Sequence, residues 1–217
     1  MRIFGKNPDY PNTGMVIMKD MAIDAEDNIY QVGWFDFNSN FQNFGTEEAI
    51  FSRGQFDAYI IKYDKDGNLI WVKTVGGAFN DRGESVIISD DGHVLFGGGY
   101  SGTATFPNDS TYTSIYGNND ATRNGFLMKL NKDDGSVIWL NPFEYDENYG
   151  GVRDIYCIAS FSDGKILTNG MLLSSNGSYL SSVGIGCNYR HYTLNNNEDI
   201  FRINNSSTDD IYSISKF

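Results

Sequence analysis

The sequence predicts an all-β protein made of β-propeller-type blades, each of four antiparallel strands, with about three blades' worth in this chain. Three observations predict it. A hairpin recurs: "DAYIIKYDKDGNLIWVKT" at 57–74 and "GFLMKLNKDDGSVIWLN" at 125–141, with "DDIYSISKF" at 209–217 resembling the first arm of a third. Glycines recur in register upstream of the hairpins, at Gly33, Gly98 and Gly170. The apolar segments are rich in β-branched and aromatic residues, and none has a 3.6-residue period.

Each unit reads as four strands in a fixed order. The first is short and apolar: "MAID" (21–24), "VIIS" (86–89) and "IAS" (158–160). A turn with Asp or Gly leads to the second: "NIYQVGW", "HVLFGGG" and "KILTNGM". A variable loop precedes the third: "AYIIKY", "FLMKLN" and "IYSISKF". A tight turn then gives the fourth, "NLIWVKT" or "SVIWLN", in which Trp71 and Trp139 coincide as packing residues between blades. Many strands are apolar on both faces, as in a sheet covered on both sides. Four-stranded units in tandem are propeller blades. The blades divide the chain as 18–78, 79–147 and an incomplete 148–217, with 1–17 as a closing fourth strand and lead-in.

"MAIDAEDNIYQVGWF" followed by "FDAYIIKYDKDGNLIWVKTVGG" resembles the bacterial seven-bladed β-propeller repeat, SBBP. Asp24, Asn28, Tyr30 and Gly33 match the first half of that repeat. Asp57, Ala58, Lys62, Asp64, Gly67, Asn68 and Trp71 match the second. The likeness covers roughly 18–141 closely and 152–217 loosely, with Gly125 where Ala58 stands. It implies a fold and often a bacterial surface or exported setting, and it implies no catalytic residues.

The third copy ends without a fourth strand, and "MRIFGK" at 1–6 lies where one is due, with Phe4 in the tryptophan's place. That gives twelve strands. Three blades make a poor ring, since propellers usually have four to eight. Two arrangements remain: two chains closing a six-bladed ring, or a piece of a larger propeller or assembly whose other parts cover the open edges.

A formal charge of −12 with no basic run argues against nucleic acid and anionic membrane surfaces. No apolar run is long enough to span a bilayer, and the first ten residues hold no signal-peptide core. Outside the cytoplasm, a signal would have been removed or would lie elsewhere on a parent chain. Cys157 in a strand and Cys187 in a loop read as two ordinary thiols, because disulfide geometry is narrow.

Several motifs invite a chemical reading. "GGGYSG" has nucleotide-loop spacing but no helix behind it, so its glycines serve close strand approach. "DKDGN" (64–68) begins like a calcium loop, yet Val75 stands where the bidentate glutamate belongs, which leaves a hairpin turn. His93 and His191 have no partner at metal or catalytic spacing. The acid pairs Glu47-Glu48, Asp90-Asp91, Asp133-Asp134 and Asp209-Asp210 fall in turns and loops. No metal, cofactor or catalytic residue is assigned.

The candidate binding residues are the aromatics around the variable loops: Trp34, Phe35, Phe41, Tyr100, Tyr189 and Tyr192. Aromatic rings with polar neighbours stack on sugars or anchor proteins; equally, they pack a loop down. The leading expectation is a non-catalytic binding or assembly module of a surface, secreted or virion-type structure. Its partner would be a protein subunit, self or other, or a glycan, and its setting extracytoplasmic. The alternative is a glycan-processing enzyme, hydrolase or lyase, using loop or axial carboxylates.

Overall fold

The computed structural model describes residues 15–36, 50–115, 123–144 and 152–183 in full, and the backbone of 192–194, 200–205 and 212–216. Among these residues all regular structure is β, in antiparallel sheets.

The first sheet is a meander of β1 (Val16–Ile23), β2 (Ile29–Asp36), β3 (Phe56–Tyr63) and β4 (Leu69–Gly77). Its turns form because acids replace missing ladder partners. Asp64 Oδ1 accepts the Asp66 and Asn68 amides at 2.9 and 2.7 Å while Gly67 takes φ 82°. Asp24 Oδ1 does the same for Glu26 and Asn28 at 3.0 and 2.8 Å. "DKDGN" is therefore a hairpin turn.

The second sheet opens with β5 (Arg82–Ile88) and β6 (Val94–Tyr100). The chain then leaves it as a hairpin of β7 (Thr103–Thr105) and β8 (Thr111–Thr113), and β7 pairs with the end of β4, Gly76 opposite Thr105. A loop expected to be variable thus extends the first sheet to six strands and covers part of its outer edge. The second sheet resumes with β9 (Asn124–Leu130) and β10 (Val137–Asn141).

The third sheet corrects the strand reading. It comprises β11 (Ile158–Ser160), β12 (Ile166–Thr168), β13 (Met171–Leu173) and β14 (Tyr179–Ser182), so it has its own third and fourth strands. Gly170 is not in a strand like Gly33 and Gly98. With Asn169 (φ 43°) it forms the two-residue turn between β12 and β13, at φ 82°. Asn-Gly favours that tight hairpin because both residues tolerate positive φ. Residues 212–216 belong instead to a fourth sheet of β15 (Tyr192–Leu194), β16 (Ile200–Asn205) and β17 (Tyr212–Lys216). Among the described residues, the expectation of twelve strands with an unfinished third blade is replaced by three four-stranded meanders, an added hairpin and a three-stranded fourth sheet. Residues 1–6, the expected closing strand, lie outside the described residues.

The first strands of the sheets neighbour one another in series: β1 beside β5, β5 beside β11, β11 beside β15. One core fills the space between the first two sheets around Tyr30, Val32, Ile60, Phe96 and Phe126. Another joins the second and third through Leu95, Leu127, Ile155 and Met171. Trp71 and Trp139 pack between sheets. The Trp71 indole donates to the Lys132 carbonyl at 3.2 Å and rests on Gly135; the Trp139 indole donates to the Ser175 carbonyl at 3.0 Å and rests on Gly177.

Cys157 is disulfide-bonded, which corrects the reading of two thiols.

Each meander places alternate connections at opposite ends. The turns that close the first and last strand pairs of each meander gather at one end, and the tight Asn169-Gly170 turn lies at the other. At that other end, the loop end, lie the β2–β3 and β6–β9 connections and the links from sheet to sheet.

Candidate functional site at the loop end

A continuous polar track crosses the first three sheets at the loop end. It begins at β1, where the pairing with β2 shifts between Met18 and Asp20. That irregularity turns Lys19 out beside the Trp34 ring, its Nζ 5.2 Å from the centroid. From β5, the Arg82 guanidinium lies 4.7 Å from the same centroid. The half-buried indole therefore carries two cations.

Glu84 follows Arg82 on β5 and is enclosed, with 3% of its side chain exposed. Its Oε2 lies 3.3 Å from Lys19 Nζ but outside hydrogen-bond geometry, and Arg82 Nε is likewise buried without a hydrogen bond. Burial raises the Glu84 carboxyl above its ordinary value of 4.5, against the pull of Lys19. Asp154 pushes it further in the same direction, while Arg123 opposes.

The third part of the track is an ion pair between the second and third sheets. Arg123, just before β9, donates from Nε to Asp154 Oδ1 and Oδ2 at 2.8 and 3.0 Å and pairs through Nη2 as well. Tyr156 donates its hydroxyl to Asp154 Oδ2 at 2.9 Å. The pair nearly touches the backbone of β6: a Cβ on Gly99 would stand 1.7 Å from Asp154 Oδ1. The glycines of "GGGYSG" thus admit this carboxylate, and a strand follows them.

Beneath the track lie two carboxylates with a structural role. Asp81 is fully buried and accepts the Gly77 and Ser101 amides at 2.8 and 2.9 Å, tying the ends of β4 and β6 together. Asp57 is also fully buried, opposite Phe35 at the start of β3, and accepts the Arg53 amide at 3.1 Å. Burial raises Asp57 to about 7 and Asp81 well above its ordinary range.

Of the aromatic candidates, only Trp34 stands in this track. Phe35 is fully buried and packs edge-on against Tyr59 at 6.3 Å. Tyr100 is fully buried, packs edge-on against Phe106 at 5.6 Å and donates to the Pro142 carbonyl at 3.1 Å. Both are corrected to core residues: their strands are covered on the face to which these rings point. Phe41 and Tyr189 lie outside the described residues, and Tyr192 opens β15, of which the backbone alone is described.

Lys19, Arg82, Glu84, Arg123, Asp154 and Tyr156 were missed in the sequence. The signal was present as charges just upstream of two first strands. β1 starts at Val16 rather than Met21, and β5 at Arg82 rather than Val86, so these polar residues are strand residues. Among the described residues, no three His, Cys, Asp or Glu converge as metal ligands, and no helix is long and apolar enough to cross a membrane.

No family model and no curated protein matches the chain. Among solved structures it is similar to a rhamnogalacturonan lyase of Bacillus licheniformis, at 15% identity and a TM-score of 0.38, over 97% of this chain and 50% of that one. It is similar to the exotype rhamnogalacturonan lyase YesX at 13% identity and 0.37, over 98% and 49%. It is also similar to the rhamnogalacturonan lyase YesW at 12% identity and 0.37, over 97% and 51%. The chain spans about half the length of these structures. These likenesses are to rhamnogalacturonan lyases, whereas the leading expectation from the sequence was a non-catalytic module.

Proposed function

We propose that the chain forms part of a glycan-processing enzyme whose reacting groups lie in the loop-end track. The observation that carries this reading is Glu84, an enclosed carboxyl raised by burial beside Lys19 and within electrostatic reach of the Arg123–Asp154 pair. Cleaving a glycosidic bond, by water or by elimination, requires a proton for the departing oxygen. A carboxyl whose value burial raises above the ordinary 4.5 keeps its proton to higher pH than a solvated one and is suited to give it. Lys19, with 39% of its side chain exposed, lies between Glu84 and solvent and is placed to contact an incoming sugar. Asp154, fixed by Arg123 and Tyr156, is the second carboxylate.

An extracytoplasmic setting goes with this reading. The Cys157 disulfide supports it, since such bonds persist in oxidising compartments. The test is cleavage of a panel of acidic and neutral polysaccharides by the full protein, read as new reducing ends. Elimination is distinguished by the ultraviolet absorbance of an unsaturated product. Glu84→Gln is expected to lower kcat by on the order of a hundredfold or more on the substrate cleaved. Equal rates for this variant and the native protein would overturn the assignment.

A further inference from the structure

We propose that a slot between the second and third sheets, at the turn end, binds a single neutral sugar or polyol unit. The site lies at the opposite end of the sheets from Glu84 and does not depend on the role proposed for that residue. The slot is a cavity of about 230 Å³, walled by Asp90, Asp91, Lys129, Ser160, Ser162 and Asp163 among others.

The repeat itself shows that the slot is a departure. Lys62 and Lys129 are equivalent, pairing with Tyr30 and Leu95 across their strands. Between the first and second sheets the space is filled: Lys62 Nζ lies 5.3 Å from the Tyr30 centroid and donates to the Lys132 carbonyl at 2.7 Å. The Tyr30 hydroxyl closes the gap by donating to Asp24 at 3.0 Å. Between the second and third sheets, Leu95 replaces Tyr30 and Ser89 replaces Asp24. Lys129 pairs with Asp91 instead of reaching the next sheet's carbonyl. The equivalent carbonyl, that of Ser175, keeps its bond from Trp139. The backbone plan is shared, and the side chains hollow out one junction.

The wall chemistry selects the ligand. Of the three wall carboxylates, Asp91 is paired with Lys129 and Asp163 with Lys165, so they keep acceptor capacity with most of their charge offset, while the Lys129 ammonium, 8% exposed, opposes a cation. Serine hydroxyls both donate and accept. A neutral molecule with several hydroxyls satisfies every wall. The volume is below the roughly 300–1,000 Å³ of sites for drug-sized ligands, so one ring fits and a chain does not.

Saturation-transfer NMR on the full protein tests this with D-glucose, D-galactose and glycerol, and with glucuronate and glucosamine as charged analogues. Transfer to at least one neutral probe is expected, with the charged analogues binding no better. Ser162→Trp, at an exposed rim position, plugs the slot and is expected to weaken binding about tenfold or more. Should that variant misfold, Asp90→Ala with Asp163→Ala reads the same loss. Glu84→Gln should leave the transfer unchanged. Absence of transfer to every neutral probe, transfer confined to a charged analogue, or binding unaffected by the slot variants would overturn the proposal.

Discussion

Replacing Asp57 with asparagine would give the first sheet what the second already has. Asp57 opposes Phe35 where Asn124 opposes Tyr100, and both are fully buried. Asn124 is satisfied as an amide, accepting from Ser114 at 3.0 Å and donating to the Phe143 carbonyl at 3.2 Å. Asp57 is a carboxyl whose value burial raises from 3.8 to about 7. Its folded value lies above its unfolded one, so its contribution to stability is fully present below the unfolded value and is lost as pH rises through about 7. The gap corresponds to about 4 kcal/mol as an upper limit, at about 1.4 kcal/mol per pH unit. Asp81 acts in the same direction. Asp91, held down to about 2 chiefly by its bond from Lys129, acts the opposite way but only in strong acid. Urea unfolding followed by tryptophan fluorescence should therefore show the native protein more stable at pH 5 than at pH 8. Asp57→Asn should flatten that difference by a few kcal/mol and raise stability at pH 8, less the roughly 1–2 kcal/mol from the lost Arg53 contacts. An unchanged pH slope in the variant would refute the reasoning.

Other perturbations probe packing, the ion pair and the crosslink. Trp71→Ala should cost about 3–5 kcal/mol in denaturant unfolding, and Trp139→Ala less, because Trp71 is 8% exposed and Trp139 half-buried. Arg123→Ala should cost about 3–5 kcal/mol by leaving Asp154 buried without its cation, and adding Asp154→Ala should recover part of it in a double-mutant cycle. Reducing the Cys157 disulfide should lower stability by about 2–5 kcal/mol, read as a fall in Tm with and without reductant.

The hairpins were legible in the sequence because their causes are local. Asp64 and Gly67 shape a turn by their own chemistry, and Trp71 and Trp139 recur because the junctions between sheets need them. The third sheet was misread because Asn169-Gly170 was aligned as strand with Gly33, although an Asn-Gly pair also announces a tight turn. The landing of β7 on β4 was not legible, since a hairpin's sequence does not name its neighbour. The site was hidden for two reasons. Lys19, Arg82 and Glu84 interrupt the apolar pattern that marks a strand's start, and the track is assembled from three sheets at once.

The role proposed for Glu84 rests most directly on its carboxyl being raised above the ordinary value by burial. Carbon-13 NMR of glutamate carboxyls, with Glu84 identified by loss of its signal in Glu84→Gln, measures that property in the folded protein. The structure predicts a midpoint above the ordinary 4.5, with burial as the leading cause. A midpoint at or below 4.5 would mean that Lys19 and Arg123 win over burial, and Glu84 would then be a structural ion-pair partner with no proton to give.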